Sequence, residues 1–324
     1  MTIEEFFKDL SSKLELTKTE ADIISRKHNW LREKLCAGLP VEDDFLTGSY
    51  SRNTMIRPKG NDKFDVDSFL VFSKQDYGEK DLPELLKIVK TALDKIKDQD
   101  SDILKIDDKQ RRSIGVIYKN NFQIDIVPAI EIEKGKKYKI WDKRSREALE
   151  SNPKLHSESL TAANDASASG SIKRLVPIVK LLKSWSHEKC NYIKSFHLEL
   201  LAVQILKDEE IKSFSSGIGK FFNTATAYLE KSSLKDPANP ENIIDSYLDE
   251  DGTRGGLLEL VTGEIKIVNK ALELEANGDG DKAITEWRKI FESGKDSNKG
   301  GDAKPVSKGP TYINRTPPKP WCYV

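Results

Sequence analysis

Phe64-Asp65-Val66-Asp67-Ser68-Phe69-Leu70-Val71-Phe72 is the stretch on which the reading of this 324-residue chain turns. A dense apolar run bounded by polar turns predicts a strand. Side chains alternate along a strand, so Asp65 and Asp67 leave one face together while Val66, Ser68 and Leu70 take the other. Two like charges one strand step apart repel. A buried setting makes that arrangement costly unless a cation neutralises it, and paired carboxylates are what Mg²⁺ accepts alongside water and phosphate oxygens. For the D-x-D pattern alone, an edge strand with a wet outer face explains the alternation as well.

The neighbouring sequence adds to the case. Downstream, Leu82, Leu85, Leu86, Val89, Leu93 and Ile96 recur at helical spacing. Two β-like runs follow, Ser113 to Tyr118 and Phe122 to Val127, joined by Lys119, Asn120 and Asn121 and closed by Pro128, which predicts a hairpin. Asp125 stands alone in the second run, where Asp has poor strand propensity and needs a reason. Three strand-borne carboxylates, Asp65, Asp67 and Asp125, are thus able to meet on one side of a sheet. Upstream, Leu46-Thr47-Gly48-Ser49-Tyr50-Ser51-Arg52 contains a Gly-Ser turn before a short segment with helical potential. Gly permits close backbone approach and a Ser hydroxyl adds a donor, as a phosphate requires. On its own a Gly-Ser pair is far more often a plain turn.

The first 38 residues read as two helices, the second opened by Thr17 with Glu20 three positions on, a capping box, and carrying Ile24, His28, Leu31 and Leu35 as its buried stripe. Beyond Ser171 helical patterns dominate, over Leu175 to Trp185, Phe196 to Leu206, Phe214 to Glu230, Leu257 to Glu275 and Ala283 to Phe291, which predicts a helical bundle. The basic stretch from Lys134 to Arg146 is interspersed with Glu131, Glu133, Asp142 and Glu147 and is read as a solvated loop, not a nucleic-acid groove. The Gly- and Pro-rich end predicts an extended tail. The expected division is 1–38 for the N-terminal helices, 39–165 for a mixed α+β core, 166–292 for the helical domain and 293–324 for the tail.

Composition sets limits. The 53 Lys and Arg balance 53 Asp and Glu, so no overall basic bias points to nucleic acid. No apolar run has the length of a membrane span, and the chain is expected in the cytosol. Cys36, Cys190 and Cys322 are too scattered for a disulfide framework or a zinc site and are read as reduced thiols.

The order Gly48-Ser49, Asp65-x-Asp67, then Asp125 on a later strand resembles the polymerase-β-like nucleotidyltransferase superfamily. Leu175-Val176-Pro177-Ile178-Val179-Lys180-Leu181-Leu182-Lys183-Ser184-Trp185, followed by Lys194-Ser195-Phe196-His197-Leu198-Glu199, is similar to the helical region of its cGAS/DncV-like branch and of oligoadenylate synthetases. The resemblance implies an α+β fold with a mixed sheet, packed against a C-terminal helical bundle. It implies a cytoplasmic, Mg²⁺-dependent enzyme with two ions, Mn²⁺ being an alternative, that makes a cyclic di- or trinucleotide messenger from nucleoside triphosphates such as ATP, typically in antiphage defence. Asp65, Asp67 and Asp125 are then the metal ligands and catalytic acids. Gly48, Ser49, Lys180 and Ser195 hold the triphosphate, and Phe196 stacks on a base.

From the residues alone, Lys180 is read as snorkelling from an apolar helix, Ser195 as an N-cap, and Phe196 as core. His156 and His197 are assigned no chemistry. A transferase making linear oligoadenylate or extending RNA ends, and a non-catalytic nucleotide-binding protein, are the competing functions. The tail either docks a regulatory protein or packs back on the enzyme.

Overall fold

The computed structural model describes residues 1–58, 63–119, 121–189 and 192–292, so the expected tail lies outside the described residues. The chain divides into two units. Among the described residues, one comprises Leu16–Ser159 and Pro237–Asn239, and the other comprises Met1–Glu15, Leu160–Asp236 and 240–292.

The first unit is a sheet with helices. Helix α1 (Ile3–Lys13) belongs to the second unit, whereas α2 (Lys18–Gly38) belongs here, so the two N-terminal helices are not one piece. Thr17 accepts the backbone N–H of Glu20 at 3.2 Å and Glu20 accepts that of Thr17 at 2.7 Å, completing the anticipated capping box. Strands β1 (Val41–Thr47) and β2 (Phe64–Phe72) flank the short helix α3 (Gly48–Ser51). Then come α4 (Leu82–Lys97), β3 (Ile103–Asp107), β4 (Ile114–Tyr118), β5 (Phe122–Glu133), β6 (Lys137–Asp142), β7 (Glu147–Ser151) and α5 (Pro153–Ala166), which belongs to this unit up to Ser159 and to the other from Leu160.

The sheet runs β1-β2-β5-β4-β3, with β6 pairing with the far half of β5 and β7 with β6. β2 and β5 are parallel, and every other pairing in this sheet is antiparallel. β2 is therefore an inner strand, and the wet-edge explanation of its Asp pair does not hold. Its Val66, Leu70 and Phe72 join Ile124, Ile126 and Ile130 of β5 and the stripes of α2 and α4 in the main core. The opposite face carries carboxylates at one end and a smaller core at the other, made of Phe69, Val71, Val127, Ala129, Tyr138 and Ile140.

The stretch read as a solvated loop is the β6-β7 hairpin. Tyr138, Ile140 and Asp142 are buried while Lys137 is exposed, a period-two pattern that the lysines hide.

The second unit is helical, built on α1, α6 (Leu175–Lys189), α7 (Ser195–Leu206), α8 (Phe214–Leu229), the single turn α9 (Tyr247–Glu250), α10 (Arg254–Ala276) and α11 (Gly280–Phe291). Phe7 ties α1 into it, with ring centroids 5.8 Å from Phe214, 5.2 Å from Trp287 and 5.8 Å from Phe291. Arg174, just before α6, reaches back to Glu4 at 2.8 Å.

Candidate active site

Parallel pairing of β2 with β5 sets Asp67 across from Asp125 and Asp65 across from Gln123. Paired residues share a face, so the three carboxylates anticipated from their spacing do lie together on one side of the sheet. Asp65 is exposed, Asp67 half-buried and Asp125 only 6% exposed.

Among the described residues, Lys63 and Arg52 offset these charges only in part. Surrounding atoms displace water from the open tip of Asp65, the charges of Asp125 and Asp67 oppose its ionisation, and its carboxyl is pushed up to about 8. Asp67 rises to about 6, first through desolvation and then through Asp125, with Arg52 pulling the other way. Asp125 is also raised by burial although the Gln123 and Gln110 amides stabilise its charged form, and it hydrogen-bonds Asp65. Like charges gathered in this way favour a cation.

Gly48 begins α3 at φ 70°, a conformation that glycine adopts without strain. A Cβ at this position would stand 1.8 Å from Asp67 Oδ2, so only glycine fits against that carboxylate. The turn and the D-x-D strand, separate in sequence, are thus in direct contact. Ser49 follows at once, its carbonyl accepting the N–H groups of Thr54 at 2.9 Å and Met55 at 3.0 Å.

The all-oxygen donor set, its like-charge repulsion and the cavity-free contact with Gly48 fit a hard divalent cation. Among the described residues no three His, Cys, Asp or Glu side chains are gathered closely enough to hold an ion as they stand. The remaining ligands of such an ion must come from water and substrate phosphates, as Mg²⁺ prefers.

The residues expected to hold nucleotide from the helical unit are described within that unit. Lys180 does not snorkel: it is 1% exposed and its Nζ lies 2.7 Å from both carboxylate oxygens of Glu15. Lys183, assigned no role from the sequence, pairs with the buried Glu199 at 2.8 Å. Ser195 is the first helical residue of α7 and not its N-cap, which is Lys194. No side chain caps this end, and the Ser195 hydroxyl stands 3.5 Å from His187 Nε2. Phe196 is half-buried, contrary to a core position. His197 is buried and hydrogen-bonds the Tyr247 hydroxyl at 3.0 Å, a packing role. Sequence reading missed Gln110 and Gln123, which surround Asp125. Their signal was weak, an amide on the same strand face as the acid in one case and nothing but tertiary proximity in the other.

Comparison with known proteins places this geometry. Residues 1–164 match the family described as "Second Messenger Oligonucleotide or Dinucleotide Synthetase domain". A cyclic AMP-AMP-AMP synthase of Acinetobacter sp. is 29% identical over 318 residues, covering 90% of this chain and 84% of that protein. Among solved structures, Escherichia coli MS115-1 CdnC with ATP superposes with a TM-score of 0.68 at 19% identity, over 90% of this chain and 98% of that one. Escherichia coli DncV bound to 3′-deoxy GTP gives 0.66 at 15% identity, over 86% of this chain and 92% of that one. This chain belongs to the second messenger oligonucleotide or dinucleotide synthetase family, the bacterial cGAS/DncV-like nucleotidyltransferases. Its mixed-sheet core followed by helices is the fold those structures share.

Proposed function

We propose that this protein is a divalent-metal-dependent synthase that joins nucleoside triphosphates, ATP foremost, into a cyclic di- or trinucleotide messenger. The observation that supports this most is the convergence of Asp65, Asp67 and Asp125 from two parallel strands against the Gly48 turn. The adenine preference is drawn from the Acinetobacter relative, whose product is built from AMP units.

Asp65 and Asp67 would hold the metal, and Asp125 would complete the site. Two magnesium ions, when bound in such a set, lower the pKa of an acceptor hydroxyl and offset charge on the leaving group. The hydroxyl oxygen of one ribose forms a bond to the α-phosphorus of a triphosphate, and the bridging bond to the β-phosphate breaks. Pyrophosphate departs with the electron pair, and the hydroxyl proton passes to the Asp125 carboxylate. Gly48 gives the donor phosphates close backbone approach, and the Ser49 and Ser195 hydroxyls donate to them. Phe196, half-buried, offers a ring face to a base. Lys180 contributes positive charge to the phosphates, as the resemblance to the family implies. These groups supply positioning and charge neutralisation.

No helix among the described residues is long and apolar enough to cross a membrane. Synthesis in the cytoplasm and a role in antiphage signalling are drawn from the family to which the chain belongs. One solved relative, Escherichia coli MS115-1 CdnC, was captured with a HORMA protein, and a regulatory protein partner is proposed here on the same footing. The test is incubation with the four triphosphates and Mg²⁺, then mass spectrometry after phosphatase treatment. A phosphatase-resistant ring supports the proposal. Only linear, phosphatase-sensitive oligomers, or no product, reject it.

A further inference from the structure

Gly115 of β4 stands directly across from Asp125 in the antiparallel pairing with β5. Directly paired residues point to the same face, so a side chain at 115 would take the space beside the Asp125 carboxylate. Two amides take it instead. A Cβ built on Gly115 would lie 3.1 Å from Gln110 Nε2, 3.2 Å from Asp125 Oδ1 and 3.4 Å from Gln123 Nε2. Gln123 donates from Nε2 to Asp125 Oδ1 at 2.9 Å. Gln110 reaches the same carboxylate from the loop between β3 and β4, while its Oε1 accepts the Ser113 hydroxyl.

This loop is fastened from its other side. Lys143, in the turn of the β6-β7 hairpin, donates from Nζ to the carbonyls of Asp108 at 2.6 Å and Ser113 at 3.0 Å, and its backbone N–H donates to that of Arg111 at 2.9 Å. Arg111 and Arg112 both pair with Asp142 Oδ2, at 2.6 and 2.9 Å. Asp142 is fully buried, and its two arginines hold its carboxyl down to about 2 against the cost of that burial. A loop tied at four points carries one side chain inward to the site, and that side chain is Gln110.

A carboxylate turns easily about its terminal torsion, which has broad, two-fold preferences. A buried amide with no partner is costly, so Gln123, 8% exposed, holds to the acid as firmly as the acid to it. We propose that Gln110 and Gln123 are positioning residues that fix the rotation of Asp125, in space that Gly115 leaves open, so that it is presented in one orientation beside Asp65. The inference rests on the reading of Asp65, Asp67 and Asp125 as the catalytic site.

Gln123→Met, Gln110→Met and the double variant keep length and volume but remove the donors. For the double variant, kcat is expected to fall about tenfold to a hundredfold, with KM for ATP within about twofold and the melting temperature within a few degrees of the parent. Mn²⁺ affinity of the nucleotide-free protein, read by electron paramagnetic resonance, weakens severalfold in parallel, a change that a purely structural role does not produce. Gly115→Ala, which crowds all three groups, shows a smaller loss of the same kind. Parental kcat and Mn²⁺ affinity in the double variant overturn the proposal. So does a loss of turnover seen only together with a drop in melting temperature of about 10 °C or more, several kcal/mol in a protein of this size, because the amides then serve the fold. Asp125→Asn is the control for the reading beneath: if it retains parental turnover, the catalytic assignment fails for reasons unconnected with the glutamines.

Discussion

The carboxylates of β2 and β5 and the lysines of α6 both carry charge into the protein, and they resolve it in opposite ways. Lys180 and Lys183 are almost wholly buried, and each ends on a carboxylate, Glu15 or Glu199, at 2.7 and 2.8 Å. Around Asp65 and Asp67 the neighbouring cations are too weak to prevail, and both carboxyls are pushed up, to about 8 and about 6. Matched buried charge is expensive to break. Unmatched charge of this kind calls for a ligand to restore the balance, which supports the proposed metal site.

The largest effect should come from removing the unmatched charge. Asp65→Asn or Asp67→Asn is expected to lower turnover on the order of a thousandfold or more by deleting a metal ligand. The melting temperature of the metal-free protein should hold or rise, because repulsion is relieved. Pyrophosphate release and thermal melts check both halves, and near-parental turnover in either variant ends the metal assignment.

Breaking a matched pair should do the reverse. Lys183→Met removes the cation that faces the buried Glu199 and is expected to cost about 3–5 kcal/mol, while Lys183→Met with Glu199→Met recovers most of it. Urea denaturation measures the difference; equal stability of the single and double variants contradicts the contrast drawn here.

Histidine gives a smaller, pH-gated version. Burial depresses His28 and His197 to about 4 from an ordinary 6.5, outweighing the nearby carboxylates of Asp44 and Asp245. The folded protein thus binds fewer protons than the unfolded chain. The stability from keeping these rings neutral is fully present above pH 6.5 and is lost as pH falls toward 4, by up to about 3 kcal/mol for each ring. The raised carboxyls of Asp65 and Asp67 shift stability the other way over the same range, so the check is a comparison of two proteins: the parent's melting temperature should fall relative to that of His28→Asn as pH drops from 6.5 toward 4.

The finest test separates the two roles of Lys180. Lys180→Ala and Glu15→Gln both break the ion pair, but only the first removes a cation from the donor phosphates. KM for ATP is expected to rise severalfold more in Lys180→Ala than in Glu15→Gln. Equal KM values confine Lys180 to the pair.

Much of the site was legible because its signals are local. Alternation put Asp65 and Asp67 on one face of β2, and the apolar run around Asp125 made β5. Helices α6, α7, α8, α10 and α11 followed from their 3.6-residue period, and α2 from its capping box. The β6-β7 hairpin was obscured because outward lysines dominated its composition while Tyr138 and Ile140 carried the strand period inward. Helix α5 also had a signal that went unread, Asn152 accepting the Leu155 N–H at 3.0 Å just ahead of Pro153.

Contacts between residues far apart in the chain had no such trace. Nothing near Lys180 in sequence names Glu15, 165 residues away, as its partner, and nothing near Asp125 names Gln110. The sequence by itself determined which strand faces carry charge, which stretches are helical and where glycine was required. The tertiary structure alone decided which of those charges are satisfied. Periodicity and capping arise from a few consecutive residues, whereas the partner of a buried charge depends on which distant segments the fold brings into register.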